Sequence, residues 1–240
     1  MDYVLTTNAL CKKYGKFEAL SSVSMHVPKG AIYGFVGKNG AGKTTFIRII
    51  CGLQTATSGG YTLYGRKNTD KRIDKARRRM GAVVETPSIY PDMTAEENLK
   101  MQYRVLGLSS FDGIQKILKL VGLENTGKKK AKNFSLGMRQ RLGIAVALCG
   151  KPDFLVLDEP VNGLDPQGII EIRELILKLN REYKITVFIS SHILGELAKL
   201  ATHYGFIDNG RIVKEISADE LNDESLESFY MNLVGGGKNE

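Results

Sequence analysis

The chain has 240 residues, 42% of them hydrophobic, which is enough to bury the core of one large α/β domain with an inserted lobe. Cys11, Cys51 and Cys149 have neither paired nor metal-type spacing, which argues against a disulfide framework and favours a reducing cytosol. The net charge is +8, but with no zinc-type spacing and no aromatic RNA motif, charge alone does not support a nucleic-acid partner.

The first segment, residues 2–30, alternates between apolar and polar residues. Val23, Met25 and Val27 are apolar, whereas Ser24 and His26 between them are polar. Such alternation puts one set of side chains against a core and the other set in solvent, as antiparallel sheets do. We therefore predict an N-terminal antiparallel β subdomain.

A glycine-rich loop follows an apolar, strand-like stretch at residues 31–36. The loop fits the pattern of a glycine, four free positions and Gly-Lys-Ser/Thr through Gly37, Gly42, Lys43 and Thr44. Glycines let successive backbone N–H groups converge on phosphate oxygens without a Cβ in the way. We assign nucleotide binding to the whole P-loop: Gly37, Lys38, Asn39, Gly40, Ala41, Gly42, Lys43, Thr44 and Thr45.

The residues after the P-loop predict a helix. Apolar residues recur there at helical spacing, namely Phe46, Ile49, Ile50 and Leu53. The loop then lies at a helix N-terminus, whose dipole favours anions. We expect Lys43 to reach the β- and γ-phosphates of a nucleoside triphosphate and the Thr44 hydroxyl to ligate Mg²⁺.

Residues 60–64 predict one more strand, and the sequence pattern then turns helical. Thr94 and Glu97 have the spacing of a capping box, which marks a helix N-terminus. Further apolar residues fall at helical spacing: Ile114, Ile117, Leu118 and Val121. We predict a helical subdomain inserted at about residues 86–149.

A second apolar run, residues 154–157, ends in two adjacent carboxylates, Asp158 and Glu159. An unbroken apolar run suits a strand buried on both faces of a parallel sheet, and open α/β sheets bind ligands at the carboxyl ends of such strands. Asp158 is predicted to hold Mg²⁺, directly or through water. Glu159 is predicted to polarise the attacking water as general base.

The parallel-sheet pattern resumes at residue 151 and continues to about residue 203. Residues 205–213 predict a hairpin that turns at Asn209 and Gly210. Residues 221–234 predict an amphipathic helix, and the three glycines at 235–237 predict a disordered tail.

Further motifs resemble those of a known family. Residues 134–141 are similar to a signature usually written Leu-Ser-Gly-Gly-Gln, residues 162–166 to its D-loop, and residues 190–192 to its switch-histidine motif. Tyr14 stands where the family places an aromatic ring on adenine. With the P-loop and the acidic strand end, six elements in the family's order make the chain resemble the ATP-binding subunit of an ABC transporter over essentially its whole length.

The resemblance implies a site shared between two chains that uses ATP and Mg²⁺. Ser135, a predicted helix N-cap, and Gly137 would face the γ-phosphate of ATP bound to the opposite subunit. Asp165 would bridge the two subunits. His192 would contact the γ-phosphate and hold the attacking water, and Tyr14 would stack on adenine.

The implied fold is a P-loop NTPase with a mostly parallel core sheet, an N-terminal antiparallel β subdomain and an inserted helical subdomain. The ATPase domain would span residues 1–216, and residues 217–240 would form the C-terminal helix and flexible tail. ATP would join two copies of the chain, most simply as a homodimer. No nucleic-acid partner is predicted. A separate transmembrane permease would form the pore, since no apolar stretch here approaches the ~20 residues that cross a bilayer. Without a signal peptide, the subunit would lie at the cytoplasmic face of the membrane.

Two departures from the family pattern bear on the class of transported substrate. Leu136 and Met138 stand where the signature usually has glycine and glutamine. Glu85 stands where the family places a glutamine that senses Mg²⁺ and links catalysis to the membrane subunit. Both departures resemble the corresponding sequences in the ATPases of bacitracin and lantibiotic exporters. We therefore predict an antibiotic-resistance pump and assign Glu85, with Thr44 and Asp158, to the metal.

Two alternatives stay open at this point. An ABC exporter of another substrate, such as sodium ion or a lipid-linked intermediate, could use a subunit with the same pattern. A soluble ABC-type ATPase that acts on nucleic acid or ribosomes would need a second core, a long coiled coil or a nucleic-acid element, and the sequence predicts none. A GTPase is disfavoured because no Asn-Lys-x-Asp motif follows the P-loop.

Overall fold

The computed structural model describes residues 2–222 and 224–235. Its strands are β1 (Tyr3–Tyr14), β2 (Phe17–Val23), β3 (His26–Pro28), β4 (Ile32–Val36), β5 (Ser58–Leu63), β6 (Arg66–Lys67), β7 (Met80–Val83), β8 (Phe154–Asp158), β9 (Thr186–Ser191), β10 (His203–Asp208) and β11 (Arg211–Ser217). Its α-helices are α1 (Lys43–Ile50), α2 (Ile73–Arg77), α3 (Ala95–Val105), α4 (Ile114–Leu120), α5 (Leu136–Leu148), α6 (Pro166–Arg181), α7 (Leu194–Leu197) and α8 (Leu226–Gly235).

A six-stranded sheet in the order β11-β10-β4-β9-β8-β7 forms the centre of the fold. Five strands are parallel, and β11 pairs antiparallel with β10 at one edge. In β8, Leu155 and Leu157 belong to the buried cluster that includes the inserted helices, whereas Phe154 and Val156 belong to the cluster that includes α1. Alternate residues of β8 fill two cores, which is why this strand is an unbroken apolar run.

The N-terminal strands form a second, antiparallel sheet, as the alternation predicts. Its order is β2-β1-β5-β6, and β3 also pairs with β1. Val23, Met25 and Val27 are buried, whereas Ser24 and His26 are exposed. The buried face shares one apolar cluster with α1, so this sheet supports the helix that begins at the P-loop.

Helices α3, α4 and α5 form the predicted insertion between β7 and β8. At the start of α3, the Thr94 hydroxyl accepts a hydrogen bond from the Glu97 N–H at 3.2 Å, and the Glu97 carboxylate accepts one from the Thr94 N–H at 2.7 Å. This is the predicted capping box. The Thr94 N–H, with further help from the Lys130 ammonium, lowers the pKa of Glu97 to about 2.

The predicted extent of α1 is wrong by one turn. The helix ends at Ile50, with Cys51 as its C-cap. Gly52 then adopts a left-handed φ of +76°, which stops the helix, as glycine often does after a C-cap. Leu53 is consequently 68% exposed and does not belong to the apolar face of α1.

The C-terminal segment agrees with the prediction only in part. The hairpin turns at Asn209 and Gly210, which both have the positive φ that such turns require. The last helix begins at Leu226 rather than at residue 221, because Ala218–Leu221 form a 3-10 turn and Asn222 leaves it with a φ of +47°. Gly235 ends α8, while residues 236 and 237 of the predicted tail lie outside the described residues. The boundary at residue 216 stays a prediction.

The helices of the fold are short. The longest, α6, has 16 residues, whereas a membrane-spanning helix needs ~20 mostly apolar ones. Within residues 2–222 and 224–235, no helix has both the length and the apolar character to span a membrane.

Candidate active site

Three neighbouring strands bring the sequence motifs to one edge of the parallel sheet. Strand β9 lies between β4 and β8, and the register pairs Val36 with Ser191 and Asp158 with Ser190. The P-loop directly follows β4, Glu159 follows β8, and His192 follows β9. Parallel neighbouring strands are about 4.8 Å apart, so three motifs that are far apart in sequence meet at their carboxyl ends.

The backbone of the P-loop requires glycine at two of the predicted positions. A Cβ on Gly37 would lie 2.5 Å from the carbonyl oxygen of Ile207, and one on Gly42 would lie 2.7 Å from that of Ala19. Gly42 also has a φ of +107°, which side chains rarely tolerate. The loop is thereby packed against β10 on one side and β2 on the other, while Lys38, Asn39 and Gly40 stay exposed.

Lys43, the first residue of α1, is buried within the site that the P-loop encloses. Its Nζ donates to the carbonyl oxygens of Gly37 at 2.6 Å and Lys38 at 3.1 Å. The same Nζ lies 3.1 Å from Oε1 of Glu159, a buried oxygen that accepts no hydrogen bond within the described ranges. The two groups therefore form an ion pair, but their geometry is not that of a hydrogen bond. An ammonium with these partners can turn toward a phosphate.

Glu159 is held between the P-loop lysine and the switch histidine. Its Oε2 lies 2.8 Å from Nδ1 of His192, which leaves Nε2 of the ring available to a ligand. The backbone of Glu159 has a φ of +49°, an unfavourable conformation for a side chain with a Cβ. Strain of this kind persists where the surroundings impose it, often at functional sites. The structure thus brings Lys43, Glu159 and His192 together.

Ser190 organises both carboxylates and is absent from the predicted site residues. Its hydroxyl donates to Oδ1 of Asp158 at 2.6 Å. The N–H of Glu159 in turn lies 3.0 Å from the Ser190 hydroxyl oxygen and 3.2 Å from its carbonyl oxygen. Ser190 is fully buried, so these contacts are shielded from water. Its polar side chain directly after the apolar run of residues 187–189, two residues before His192, was the available sequence signal.

The predicted metal ligands Thr44 and Asp158 fit Mg²⁺ in the type of donor atom. Hydroxyl and carboxylate oxygens are hard ligands, and Mg²⁺ usually takes only one or two carboxylates together with phosphate oxygens and water. Ser190 fixes one oxygen of the buried Asp158 and leaves the other for a cation. The Thr44 hydroxyl, at the first turn of α1, makes no hydrogen bond within residues 2–222 and 224–235. Both groups are therefore suitable ligands.

Glu85 has a partner that the sequence did not reveal. Its carboxylate forms an ion pair with Arg48, and both side chains are roughly half exposed. Arg48 lies four residues after Thr44 on α1, hence one turn along the same face. Glu85 also has a φ of +61°, which fixes its backbone in the left-handed region. The carboxylate of Glu85, the predicted third metal ligand, is therefore already paired with the Arg48 cation of α1.

Tyr14 is the last residue of β1. It lies next to β2, the strand against which Gly42 of the P-loop packs. It pairs with Phe17, three residues before Leu20, whose side chain would contact a Cβ on Gly42. Three residues of strand correspond to about 10 Å, so Tyr14 lies further along the strand than the residue that packs on Gly42. The ring is 42% exposed and its hydroxyl donates to Gln54 at 2.7 Å. An exposed, anchored ring suits stacking.

Ser135, Gly137 and Asp165 form a separate group at two helix N-termini. Ser135 caps α5 by accepting from the Met138 N–H at 3.2 Å, and Asp165 caps α6 by accepting from the Gly168 N–H at 2.9 Å. A Cβ on Gly137 would lie 3.9 Å from Gly168, so the two helix starts are adjacent. Within the described residues, neither Ser135 nor Asp165 makes a hydrogen bond or ion pair to the P-loop of its own chain.

The family model of ABC transporters matches residues 20–162 of the chain. A bacitracin transport ATP-binding protein from Bacillus licheniformis is 46% identical over 238 residues, 99% of this chain and 78% of that protein. A lantibiotic transport ATP-binding protein from Streptococcus pyogenes is 42% identical over 231 residues, 96% of this chain and 97% of that protein.

The solved structures agree on the fold. A dimeric, post-hydrolysis ATP-binding cassette with ADP and Pi is 25% identical, has a TM-score of 0.78 and covers 89% of this chain and 98% of that chain. This likeness confirms the predicted P-loop NTPase fold, with its antiparallel β subdomain and helical insertion. The family model and the near full-length relatives show the family as well. The chain belongs to the ABC transporter family, as an ATP-binding subunit that hydrolyses ATP.

Proposed function

We propose that this subunit powers the export of a peptide antibiotic through a separate membrane permease, and so confers resistance. The geometry that supports hydrolysis is the contact of Glu159 with both Lys43 and His192, at 3.1 and 2.8 Å. With Glu159 as the proposed general base, this contact would put the base beside the lysine of the phosphate-binding loop. The substrate class rests on the bacitracin and lantibiotic transport relatives, which match nearly the whole chain.

Resistance in cells tests the substrate. We expect a bacitracin-sensitive bacterium that produces this subunit and its cognate permease to tolerate several-fold more bacitracin or lantibiotic. Lys43→Ala should abolish the gain, because the lysine that contacts the phosphates is lost. Lys178→Ala, which removes an exposed lysine from α6, is the matched control and should keep it. Equal growth inhibition with the parent and Lys43→Ala subunits would contradict the proposal for these peptides.

Binding of Mg²⁺ would involve Thr44 and Asp158, the latter directly or through water, and Glu85 would contribute its negative charge beside Arg48 of α1. The ion would supply charge neutralisation at the phosphates. Because Arg48 already balances Glu85, we infer that the Glu85 carboxylate affects the metal through electrostatic attraction that Arg48 weakens. Glu85 and Arg48 would then shift the Mg²⁺ requirement in opposite directions.

A Mg²⁺ titration of ATP hydrolysis tests this pair. Glu85→Gln should raise the half-maximal Mg²⁺ concentration by about threefold, a modest effect because a half-exposed, paired charge is worth at most ~1 kcal/mol. Arg48→Gln should lower it, since the Glu85 charge is then unbalanced. If the two variants and the parent give the same titration curve, Glu85 is a surface acid without a role at the metal.

The second proposed partner is another copy of the chain. Ser135, Gly137 and Asp165 are exposed or half-buried at adjacent helix starts and are not engaged with the P-loop of their own chain. The Ser135 hydroxyl accepts from the Met138 N–H but can still donate its own proton to a phosphate brought by a second subunit. We infer an ATP-induced homodimer, bound to the permease at the cytoplasmic face of the membrane.

A further inference from the structure

Tyr230 of α8 carries a polar group that the fold does not use. The residue is 7% exposed, and within residues 2–222 and 224–235 its hydroxyl has no hydrogen-bond partner. Its ring is stacked on Phe206, with centroids 6.1 Å apart, so the hydroxyl has a fixed position. Buried hydroxyls are almost always hydrogen-bonded because desolvation is otherwise uncompensated. Packing alone would be served equally well by phenylalanine.

The hydroxyl faces the nucleotide-binding loop. Tyr230 lines a cavity of about 250 Å³, and the other lining residues come from β4, the P-loop and the segment around the switch histidine: Val36, Gly37, Lys38, Asn39, His192 and Leu194. Burial, reinforced by the charge of Asp208, raises the pKa of Tyr230, whereas the backbone N–H of Lys38 acts in the opposite direction. Tyr230 and Lys38 thus line the same cavity, and within the described residues no hydrogen bond joins the Tyr230 hydroxyl to the Lys38 N–H.

Helix α8 also packs against α7, whose first residue, Leu194, lines the same cavity. A Cβ on Gly195 of α7 would lie 3.0 Å from Oε1 of Glu227, and Leu226 shares a buried cluster with Leu197. Helix α7 begins two residues after His192. Helix α8 therefore joins the start of the P-loop, through Tyr230, to the helix that follows the switch histidine.

The peptide group beside Tyr230 is the one that Lys43 holds in place. The carbonyl of Gly37 and the N–H of Lys38 belong to one planar peptide unit. Nζ of Lys43 binds that carbonyl at 2.6 Å, which fixes the orientation of the unit. A phosphate would attract the Lys43 ammonium and release the carbonyl. The unit can then rotate and align its N–H with the Tyr230 hydroxyl.

We propose that Tyr230 is a positioning residue for ATP, whose hydroxyl accepts a hydrogen bond from the Lys38 N–H once a phosphate occupies the P-loop. Helix α8 thereby braces the P-loop against the segment that carries His192. The inference rests on the proposed function and deepens it, because it assigns the C-terminal helix a role in nucleotide affinity. A hydrogen bond formed only in the bound state makes affinity, rather than folding, depend on the hydroxyl.

Tyr230→Phe in the full chain separates the two roles, since it removes the hydroxyl and keeps the ring. Calorimetric titration with ATP in the presence of a Mg²⁺ chelator should show a Kd about five- to tenfold higher than the parent, the effect of about one hydrogen bond. The melting temperature of the nucleotide-free protein should stay the same or rise, because a buried unpartnered hydroxyl is lost. At saturating ATP, kcat should stay within about twofold of the parent.

Tyr204→Phe is the matched control. Tyr204 is buried in the same core, and its hydroxyl donates to the Ala201 carbonyl oxygen at 3.4 Å, away from the P-loop. This variant should bind ATP like the parent. A Tyr230→Phe Kd within about twofold of that of Tyr204→Phe would overturn the inference. A parent chain that fails to bind ATP would overturn the proposed function and this inference with it.

Discussion

Replacing Glu159 by Gln is expected to lower ATP hydrolysis at least ~100-fold while ATP binding is retained. Gln has the size of Glu and can still accept a hydrogen bond from His192, but it cannot take a proton from water. The present carboxylate contacts Nζ of Lys43 at 3.1 Å and Nδ1 of His192 at 2.8 Å, so both groups orient it. Steady-state phosphate release and an ATP binding isotherm on the same preparation measure the two quantities.

Glu182→Gln is the matched control for that change. Glu182 is an exposed carboxylate at the C-cap of α6 and precedes the N-terminal end of β9, whereas the site lies at the carboxyl ends of the strands. We expect its hydrolysis rate to equal that of the parent. If Glu159→Gln protein turns over ATP at a near-normal rate, the general base is another group, and Glu159 only positions His192.

The sequence could predict this site because each motif ends a strand of one parallel sheet. Gly37, Asp158 and His192 are far apart in the chain, yet the rule that parallel strands align their carboxyl ends brings them together. Gly42 was predictable for a different reason, since only glycine tolerates its positive φ and its approach to β2.

The residues that the sequence did not predict are polar partners whose choice depends on tertiary packing. Ser190 follows a short apolar run in β9, and only the pairing of β8 with β9 shows that its hydroxyl reaches Asp158. Arg48 has the helical spacing of an ordinary solvated residue, and its pairing with Glu85 depends on how the segment after β7 returns to α1. Tyr230 looks in the sequence like an ordinary aromatic core residue of the last helix, and nothing local indicates that it lies near the P-loop. No local periodicity encodes such contacts.

Mixing two inactive variants is expected to restore hydrolysis if, as proposed, each composite site takes Lys43 from one chain and Ser135 from the other. Lys43→Ala removes the P-loop ammonium, and Ser135→Arg puts a bulky cation at the start of α5. Each variant alone should form no working site. In a heterodimer, Lys43 of the Ser135→Arg chain meets the intact Ser135 of the Lys43→Ala chain. An equal mixture should regain about a quarter of the parent rate at most, since half of the dimers are mixed and each has one site of two.

The control is a chain that carries both substitutions, mixed with either single variant. No pairing of these chains brings an intact Lys43 against an intact Ser135, so hydrolysis should stay absent.

Light scattering on Glu159→Gln protein supplies the independent measurement: ATP with Mg²⁺ should convert monomers to dimers, and Ser135→Arg in the same background should prevent this. The geometry makes the outcome decisive, because Ser135 makes no hydrogen bond to its own P-loop among the described residues and instead caps α5 at Met138. If the single variants fail to complement each other while both remain folded by circular dichroism, Ser135 acts within its own chain, and the two-chain site is wrong.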